Sequence, residues 1–164
     1  MATINKNLSD YHLEDLPSAS NMKFGIVVSE WNSKITNNLF KGTYQALVDC
    51  HCPSSNIIKI NVPGSFELAL GAQFLLESTE VDAIICLGSV IQGETKHFDF
   101  VCQATAQGIK DVALKYNKPV IFGVLTDNTL QQSIDRSGGK HGNKGIEAAI
   151  SAIKMVELKN QLKS

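Results

Sequence analysis

Short apolar runs alternate with longer stretches of helical periodicity from about residue 22 onward. The apolar runs have the length and composition of buried parallel strands, and they occupy 23–29, 56–62, 83–87 and 120–125. Elsewhere, apolar residues recur three or four positions apart, which predicts helices over 35–50, 66–77, 98–116 and 144–162. A further short helix is expected after the capping residues 126–128, and it should end at about Ile134. Strands that alternate with helices pair in parallel through right-handed crossovers. We therefore expect an α/β fold, with a four-stranded parallel sheet covered by helices on both faces.

Residues 1–21 precede this alternation and are polar and irregular. We interpret them as an extended N-terminal arm that does not join the core of its own domain, and residues 22–164 as a single domain. A length of 164 residues suits one domain with a substantial core. The sequence leaves two paths open for the arm, which are disorder and packing on a neighbouring subunit.

The stretch 81–116 holds the most informative loop of the chain. Its strand leads into a polar, glycine-bearing loop over 89–97, and a helical pattern opens at Phe98. Ligands of open α/β sheets bind outside the carboxyl ends of the strands, where this loop is expected to lie. Its backbone N–H groups, Thr95 and the unpaired N–H groups of the following helix can hold an anion. The loop therefore predicts a ligand site.

Further candidate side chains follow the other strands and are expected at the same edge of the sheet. They are Trp31 and Asn32, the turn 64–67, and Phe122 with the residues after it. The rings of Trp31, Phe66 and Phe122 suit a flat heteroaromatic ligand, although each aromatic alone is more often part of a core.

Three ionisable residues have both a chemical and a structural interpretation. His97 would lie at the mouth of the site and can transfer protons near neutral pH, or it can be a surface or capping residue. Glu67 follows a strand, but a carboxylate is also favourable in the first turn of a helix. Arg136 lies in a glycine-rich connection and can clamp a phosphate with two hydrogen bonds, or it can be a solvated surface charge.

The composition disfavours several classes of function. A net charge of −1 gives no basic field for nucleic acid, and no apolar run reaches the length of a membrane span. The start of the chain lacks a basic segment followed by an apolar stretch, so we expect no secretory signal and a cytoplasmic location. Cys86 and Cys102 occupy apolar positions, which favours buried, reduced thiols. Cys50 and Cys52 have no second ligand pair at the usual zinc spacing, which argues against a metal. The sequence also lacks the glycine patterns of dinucleotide and P-loop sites.

Four motifs together resemble those of lumazine synthases. They are VPGSFE at 62–67, VDAIICLGSVIQGETKHFDFV at 81–101, PVIFGVLT at 119–126 and NKGIEAA at 143–149, in the order and spacing of the family. The resemblance covers the chain from about Met22 to Leu158. Two positions depart from the family pattern, because Ala69 stands where proline is common and Trp31 stands where phenylalanine is frequent.

The resemblance implies a three-layer αβα sandwich around a flavodoxin-like sheet with strand order 2-1-3-4. It also implies the penultimate reaction of riboflavin biosynthesis. In that reaction 5-amino-6-(D-ribitylamino)uracil and 3,4-dihydroxy-2-butanone 4-phosphate condense to 6,7-dimethyl-8-ribityllumazine, with release of phosphate and water. The enzyme would be a transferase that uses no metal and no other cofactor. One substrate supplies its own amine, so no Schiff-base lysine is needed.

Carried over by position, the resemblance assigns roles to individual residues. Trp31 would stack on the pyrimidine ring, and His97 would be the catalytic residue that transfers protons. The ring and ribityl pocket would be lined by Asn32, Ser65, Phe66, Glu67, Ser89, Val90 and Ile91. The phosphate would be held by Gly93, Glu94 and Thr95 together with Arg136 of a neighbouring subunit, and Phe122 and Lys144 would complete the pocket across the subunit boundary.

The resemblance further implies a homo-oligomer, since half of the site would come from another subunit. Members of the family form pentamers, some of which close into icosahedral shells, and the short connection 138–142 favours the shell. Riboflavin synthase is a candidate partner of such an assembly. Two alternatives to the enzyme stay open: a flavin-binding or storage protein without turnover, and a purely structural shell protein. The presence of Glu67, Thr95, His97 and Arg136 argues against the structural alternative.

Overall fold

The computed structural model describes residues 7–163. Its strands are β1 (Phe24–Ser29), β2 (Ile57–Val62), β3 (Ala83–Ile91), β4 (Val120–Asp127), β5 (Ser137–Gly139) and β6 (Gly142–Asn143). Its α-helices are α1 (Ser33–Asp49), α2 (Leu68–Ser78), α3 (His97–Tyr116), α4 (Leu130–Arg136) and α5 (Lys144–Gln161). Short 3₁₀ turns lie at Leu13–Asp15, Ser54–Asn56 and Ser65–Glu67. The predicted alternation of strands and helices is confirmed.

The strands β1 to β4 form one parallel sheet in the order β2-β1-β3-β4. Helices α1 and α5 pack on one face of this sheet, and α2 and α3 pack on the other. The three-layer sandwich and the flavodoxin-like strand order are therefore confirmed. Because all four strands run in the same direction, their carboxyl ends meet at one edge of the sheet, where ligands of this architecture bind.

The central strands are buried on both faces, which explains their continuous apolar runs. Every residue of β1 is buried, and so are the residues of β3 up to Ser89. Side chains alternate between the two layers of helices. Phe24 and Ile26 belong to the core beside α1 and α5, whereas Val27 belongs to the core beside α2 and α3.

Strands β3 and β4 are longer than the apolar runs that predict them. Residues 89–91 pair with residues 125–127 and so belong to β3, whereas the sequence suggests that a loop begins at Ser89. A polar residue continues a strand wherever its backbone still finds a partner, and hydropathy does not register this pairing. The glycine-rich connection before α5 contains the short antiparallel pair of β5 and β6, which the sequence pattern does not indicate.

The segment before β1 packs on its own domain where the structure describes it. Ala19 is fully buried in the core, and its N–H donates to the carbonyl of Cys50 at 2.7 Å. The hydroxyl of Tyr11 donates to the carboxylate of Asp49 at 3.2 Å. Our expectation that the arm does not join its own core is therefore wrong at Ala19. Residues 1–6 lie outside the described residues, and the boundary of the arm at residue 21 stays a prediction.

Helices α1 and α5 approach each other closely at two glycines. A Cβ atom at Gly145 would lie 2.1 Å from the carbonyl oxygen of Leu39, and one at Gly42 would lie 2.5 Å from Nδ2 of Asn143. Glycine permits this contact because it has no side chain. The contact fixes the start of α5, where Oδ1 of Asn143 accepts a hydrogen bond from the N–H of Gly145 at 2.8 Å.

Candidate active site

An open cleft of about 660 Å³ lies at the carboxyl edge of the sheet, between the ends of β1, β2 and β3 and the start of α3. This volume is typical of sites for small molecules. Most of the predicted site residues line it, and they are Trp31, Asn32, Ser65, Phe66, Glu67, Ser89, Val90, Ile91, Gly93, Thr95 and His97. The structure thus brings residues from three separate loops together in one space.

The loop after β1 holds Trp31 at the entrance of the cleft. The N–H of Trp31 donates to the carbonyl of Pro63 at 3.2 Å, which fixes this loop to the end of β2. Asn32 has a left-handed backbone, with φ 57° and ψ 45°, and its Nδ2 donates to the carbonyl of Ser89 at 2.9 Å. Asparagine tolerates this conformation better than most residues. The backbone is therefore held in place while the indole, which is 72% exposed, remains available to a ligand.

The turn after β2 brings an aromatic ring and a carboxylate to the same cleft. Ser65–Glu67 forms a 3₁₀ turn that leads directly into α2. Ser65 is buried, and its carbonyl accepts a hydrogen bond from the hydroxyl of Thr105 on α3 at 3.1 Å. The ring of Phe66 is 60% exposed and Glu67 is half-buried. The turn is thus anchored at Ser65, and the two following side chains stay accessible.

The loop after β3 leads into the N-terminus of α3. The N–H of Gln92 donates to the carbonyl of Asp127 at 2.9 Å and so extends the pairing of β3 with β4. Residues 93–97 are all exposed, and α3 begins at His97 without a side-chain cap. Among residues 7–163, only the hydroxyl of Thr95 approaches the N–H of His97, at 3.4 Å. An uncapped helix N-terminus of this kind carries partial positive charge and unpaired N–H groups, which together suit an anion.

Some predicted site residues do not line this cleft: Glu94, Phe122, Arg136 and Lys144. Glu94 is exposed in the loop before α3. Phe122 is expected at the carboxyl edge of the sheet, but it lies near the start of β4, opposite Cys86, and is half-buried against the core. Lys144 begins α5, where its Nζ lies 2.5 Å from Oε1 of Glu147.

Arg136 ends α4 and is held there by two contacts. Its Nη1 donates to the carbonyl of Gln132 at 3.2 Å, and its Nε lies 4.0 Å from Oδ1 of Asp127. Asp127 is buried at the end of β4 and accepts a hydrogen bond from the hydroxyl of Ser133 at 2.8 Å. The hydroxyl of Ser89, which lines the cleft, donates to that of Ser133 at 3.5 Å. Arg136 is therefore connected to the cleft although it does not line it.

The cleft is also lined by residues that the sequence does not predict as site residues, namely Pro63, Phe98 and Val101. Phe98 and Val101 fit the apolar stripe of α3 and are therefore expected to face the core. The first turns of α3 border the cleft instead. Their position directly after the loop of Thr95 and His97 is the signal that could have identified them.

The cleft carries aromatic, acidic and proton-transferring groups, but its lining within residues 7–163 includes no lysine or arginine. Glu67 and His97 are its ionisable residues. Proteins usually bind phosphate groups with arginine or lysine in addition to backbone N–H groups. The cleft of a single chain can therefore receive a flat polar ring, and it needs a cation from elsewhere to neutralise a phosphate.

Metal ligands and membrane spans are not found in the part of the chain that the structure describes. No group of three or more histidine, cysteine, aspartate or glutamate side chains there could hold a metal ion, and the four cysteines are free. No helix within residues 7–163 combines the length and apolar character needed to cross a membrane.

Comparison with known proteins identifies the family. A family model described as 6,7-dimethyl-8-ribityllumazine synthase matches residues 21–160. The protein of that name from Flavobacterium johnsoniae is 60% identical over 161 residues, which cover 98% of this chain and 85% of that protein. Those from Cytophaga hutchinsonii and Christiangramia forsetii are 58% and 55% identical over 156 and 164 residues, covering 95% and 99% of this chain and 98% of each relative. The chain therefore belongs to the 6,7-dimethyl-8-ribityllumazine synthase family, as its motifs predict.

Proposed function

We propose that this chain condenses 5-amino-6-(D-ribitylamino)uracil with 3,4-dihydroxy-2-butanone 4-phosphate, releasing 6,7-dimethyl-8-ribityllumazine, phosphate and water. This is the reaction of its family, whose members are transferases of riboflavin biosynthesis. The observation that carries the proposal is the content of the cleft. An exposed indole, a half-buried carboxylate, a histidine and an uncapped helix N-terminus border one space. The indole suits the flat ring of the pyrimidine substrate, the carboxylate suits its polyol chain, and the helix N-terminus suits the phosphate ester of the other substrate.

Trp31 and Glu67 receive the pyrimidine substrate. A planar uracil ring stacks on the exposed indole of Trp31, because aromatic faces attract each other in offset arrangements. No residue among 7–163 donates a hydrogen bond to the half-buried carboxylate of Glu67, so it is available as an acceptor for the hydroxyl groups of the ribityl chain. Asn32, Ser65, Phe66, Ser89, Val90 and Ile91 form the rest of this pocket.

The loop before α3 receives the phosphate of the second substrate. Gly93 has open space around it, since a Cβ built there would meet no atom within 4 Å. The hydroxyl of Thr95 and the first N–H groups of α3 are therefore accessible to phosphate oxygens, and the partial positive charge of the helix N-terminus favours a dianion. Glu94 contributes through its backbone, because its carboxylate would repel the phosphate.

A second copy of the chain supplies the missing positive charge. The lining of the cleft within the described residues has no lysine or arginine, while Arg136 lies partly exposed at the end of α4. We assign Arg136 to the phosphate in the cleft of a neighbouring subunit, and Phe122 and Lys144 to the same subunit boundary. This arrangement gives each cleft a guanidinium whose fork of donors matches phosphate geometry.

Exposed apolar residues support an oligomer. Leu70 and Phe74 of α2 are 52% and 54% exposed, and Phe100 of α3 is 69% exposed. Large apolar side chains clustered on one face commonly mark an interface between subunits. We propose a pentamer, which the short connection 138–142 allows to close into an icosahedral shell, in the cytoplasm and with riboflavin synthase as a candidate partner. Sedimentation at neutral pH tests the shell, and a single species of pentamer size would contradict it.

Positioning supplies the main catalytic effect. The pyrimidine amine forms an imine with the ketone and releases one water, phosphate is eliminated, and the ring closes with loss of a second water. Holding two reactants in the correct geometry contributes about 7–11 kcal/mol, whereas one general acid–base group contributes ~10²–10⁴-fold in rate. His97 at the start of α3 transfers protons between these steps.

Mixing the purified protein with both substrates tests the proposed function. We expect the absorbance of the lumazine to appear together with one phosphate per product, and neither to appear when either substrate is omitted. Tight binding of a flavin without product formation would instead indicate a carrier without turnover.

A further inference from the structure

A chain of polar contacts runs from the cleft to Arg136, and its donors converge from both sides on the carboxylate of Asp127. The hydroxyl of Ser89 donates to that of Ser133 at 3.5 Å, and Ser133 donates to Oδ2 of Asp127 at 2.8 Å. Ser89, Ser133 and Asp127 are 1%, 0% and 7% exposed. Nε of Arg136 lies 4.0 Å from Oδ1, the other oxygen of the same carboxylate.

We propose that Asp127 is a positioning residue that orients the guanidinium of Arg136 toward the phosphate of the butanone substrate. This inference rests on the assignment of Arg136 to that phosphate. Ser133 acts through Asp127, because its hydroxyl fixes one carboxylate oxygen and leaves the other for the arginine. The substrate whose binding depends on Asp127 through Arg136 is therefore the phosphorylated one. The pyrimidine pocket is unaffected as long as Ser89 and Ser133 keep their hydrogen bond.

The burial of Asp127 is the first argument for this role. A buried carboxylate is unfavourable unless it is hydrogen-bonded and paired with a cation. Ser133 supplies the hydrogen bond, and Arg136 is the cation that lies in ion-pair range. A serine hydroxyl that donates to a carboxylate while accepting from a second serine forms a directed network, which holds its members in one arrangement.

The geometry of Arg136 is the second argument. One contact, from Nη1 to the carbonyl of Gln132, holds one corner of the guanidinium. The approach of Nε to the carboxylate of Asp127 fixes the Nε side of the guanidinium. No residue among 7–163 accepts a hydrogen bond from Nη2, so part of the five-donor fork remains available for a ligand. Because the side chain is held at two points, less entropy is lost when phosphate binds.

The substitution Asp127→Asn tests the proposal, since it keeps the shape of the side chain and removes its charge. We expect the KM for the butanone phosphate to rise about fivefold, the effect of a partly exposed ion pair, while the KM for the pyrimidine stays unchanged. Loss of a negative charge by itself would tighten phosphate binding. A fall in this KM would therefore overturn the proposal. The matched control Asp135→Asn removes the same charge from α4, where Asp135 pairs with Gln131. It should leave the KM for the pyrimidine unchanged and should lower, not raise, the KM for the butanone phosphate.

A double-mutant cycle with Arg136→Ala separates a positioning role from a structural one. Arg136→Ala should raise the KM for the butanone phosphate more than Asp127→Asn does, and adding Asp127→Asn to it should have no further effect. An equal additional effect in that background would overturn the proposal, because Asp127 would then act without the arginine. If Arg136→Ala raises this KM and Asp127→Asn does not, the inference fails and the proposed function stands. If Arg136→Ala leaves it unchanged, the assignment of the phosphate to Arg136 fails, and the inference fails with it.

The variant Ser133→Ala keeps the test decisive if Asp127→Asn does not fold. It removes the donor to Oδ2 and leaves the charge of Asp127 in place. We expect a smaller rise in the same KM, again absent in the Arg136→Ala background. A folded Ser133→Ala variant with unchanged kinetics would contradict the network.

Discussion

Trp31 combines a fixed backbone with a side chain that has few contacts. Its N–H is bonded to the carbonyl of Pro63, while 72% of the residue remains exposed. A large aromatic residue at the mouth of a cleft contributes little to folding and much to binding a flat ligand. Its replacement should therefore affect the binding of one substrate only.

We expect Trp31→Ala to raise the KM for the pyrimidine substrate by about 5- to 100-fold, the effect of losing one stacked base. The KM for the butanone phosphate and the melting temperature should change little, because the indole is mostly solvated. Trp31→Phe is the matched control and should retain most of the affinity. Steady-state kinetics with each substrate varied in turn checks this, and equal losses for both substrates would contradict a stacking role.

His97 is exposed at the start of α3, where it can reach a ligand without being part of the core. We expect His97→Ala to lower kcat by about 10²–10⁴-fold, which is the usual contribution of one general acid–base group. Measurable activity should remain, because the cleft still positions both substrates. The exposed His12 offers the control variant His12→Ala, which should have normal kcat. A His97→Ala protein that binds both substrates normally and forms no product would show that positioning is not the dominant effect.

The buried thiols make the free energy of unfolding depend on pH in the alkaline range. Burial, followed by the nearby Cys50 thiolate, raises the pKa of Cys52 from 9.0 to about 11. Between these values the thiol is ionised in the unfolded chain and neutral in the folded one. The unfolded state then binds fewer protons, so the free energy of unfolding falls as pH rises from 9.0 toward about 11.

Denaturant titrations across this pH range should show the decline in the free energy of unfolding. The variant Cys52→Ala should show a shallower decline, because one of the ionising groups is gone. Burial also raises the pKa of Cys50 and of Cys86, so part of the decline should persist in the variant. An identical slope in both proteins would contradict the contribution of Cys52.

At the scale of elements, the close contact between α1 and α5 leaves no room for a side chain at Gly145 in the first turn of α5. A Cβ atom at Gly145 would overlap the carbonyl oxygen of Leu39, and both are backbone-fixed. We expect Gly145→Ala to cost about 1–3 kcal/mol and to lower the melting temperature by about 2–12 °C. Gly93→Ala is the control for stability, because a Cβ there meets nothing within 4 Å. Equal melting temperatures for the two variants would contradict the close approach of the helices.

The order and type of the elements follow from the sequence because their apolar periods differ. Runs such as 83–87 lie in strands buried on both faces, and the helical stripes reflect one buried side. The carboxyl ends of β3 and β4 are harder to predict, since residues 89–91 and 125–127 continue through backbone pairing rather than through hydropathy. Phe122 already belongs to the predicted apolar run 120–125, and its early position in β4 keeps it away from the carboxyl edge where the site is expected.

The candidate site also has a part that the sequence predicts and a part that it does not. Residues adjacent along the chain, such as Gly93, Thr95 and His97, are predictable because one loop carries them. The link from Ser89 through Ser133 to Asp127 joins positions that are distant in sequence, and no local pattern indicates it. The motifs of the family locate the cleft, but contacts between separate elements emerge only from the packed fold.

At the scale of the whole molecule, one chain presents the cleft and a separate cation. If Arg136 completes the cleft of a neighbour, two variants that each weaken the binding of one substrate should complement each other when activity is measured at low concentrations of both substrates. Chains with Trp31→Ala have intact Arg136, and chains with Arg136→Ala have intact Trp31. Mixed oligomers would then contain some clefts with both residues intact, because these residues come from different chains.

We expect that unfolding the two variants together and refolding them restores activity well above that of either variant alone. Mixing them after separate refolding is the control and should give only the mean of the two activities. The double variant with both substitutions, refolded with either single variant, should give no recovery. Activity at the mean after joint refolding would show that each cleft is complete within one chain.

Helix α5 runs from the carboxyl edge of the sheet toward the opposite edge, and this direction separates the two extremities of the described chain. At its start, the N–H of Asn143 donates to the hydroxyl of Ser9 at 3.0 Å. Near its end, Nζ of Lys159 donates to the carbonyl of Asn117, just before β4. A helix of 18 residues spans about 27 Å. A fluorophore coupled near Leu162 would therefore sit far from the reacting molecules, whereas one coupled near Ser9 would crowd the hairpin that follows Arg136.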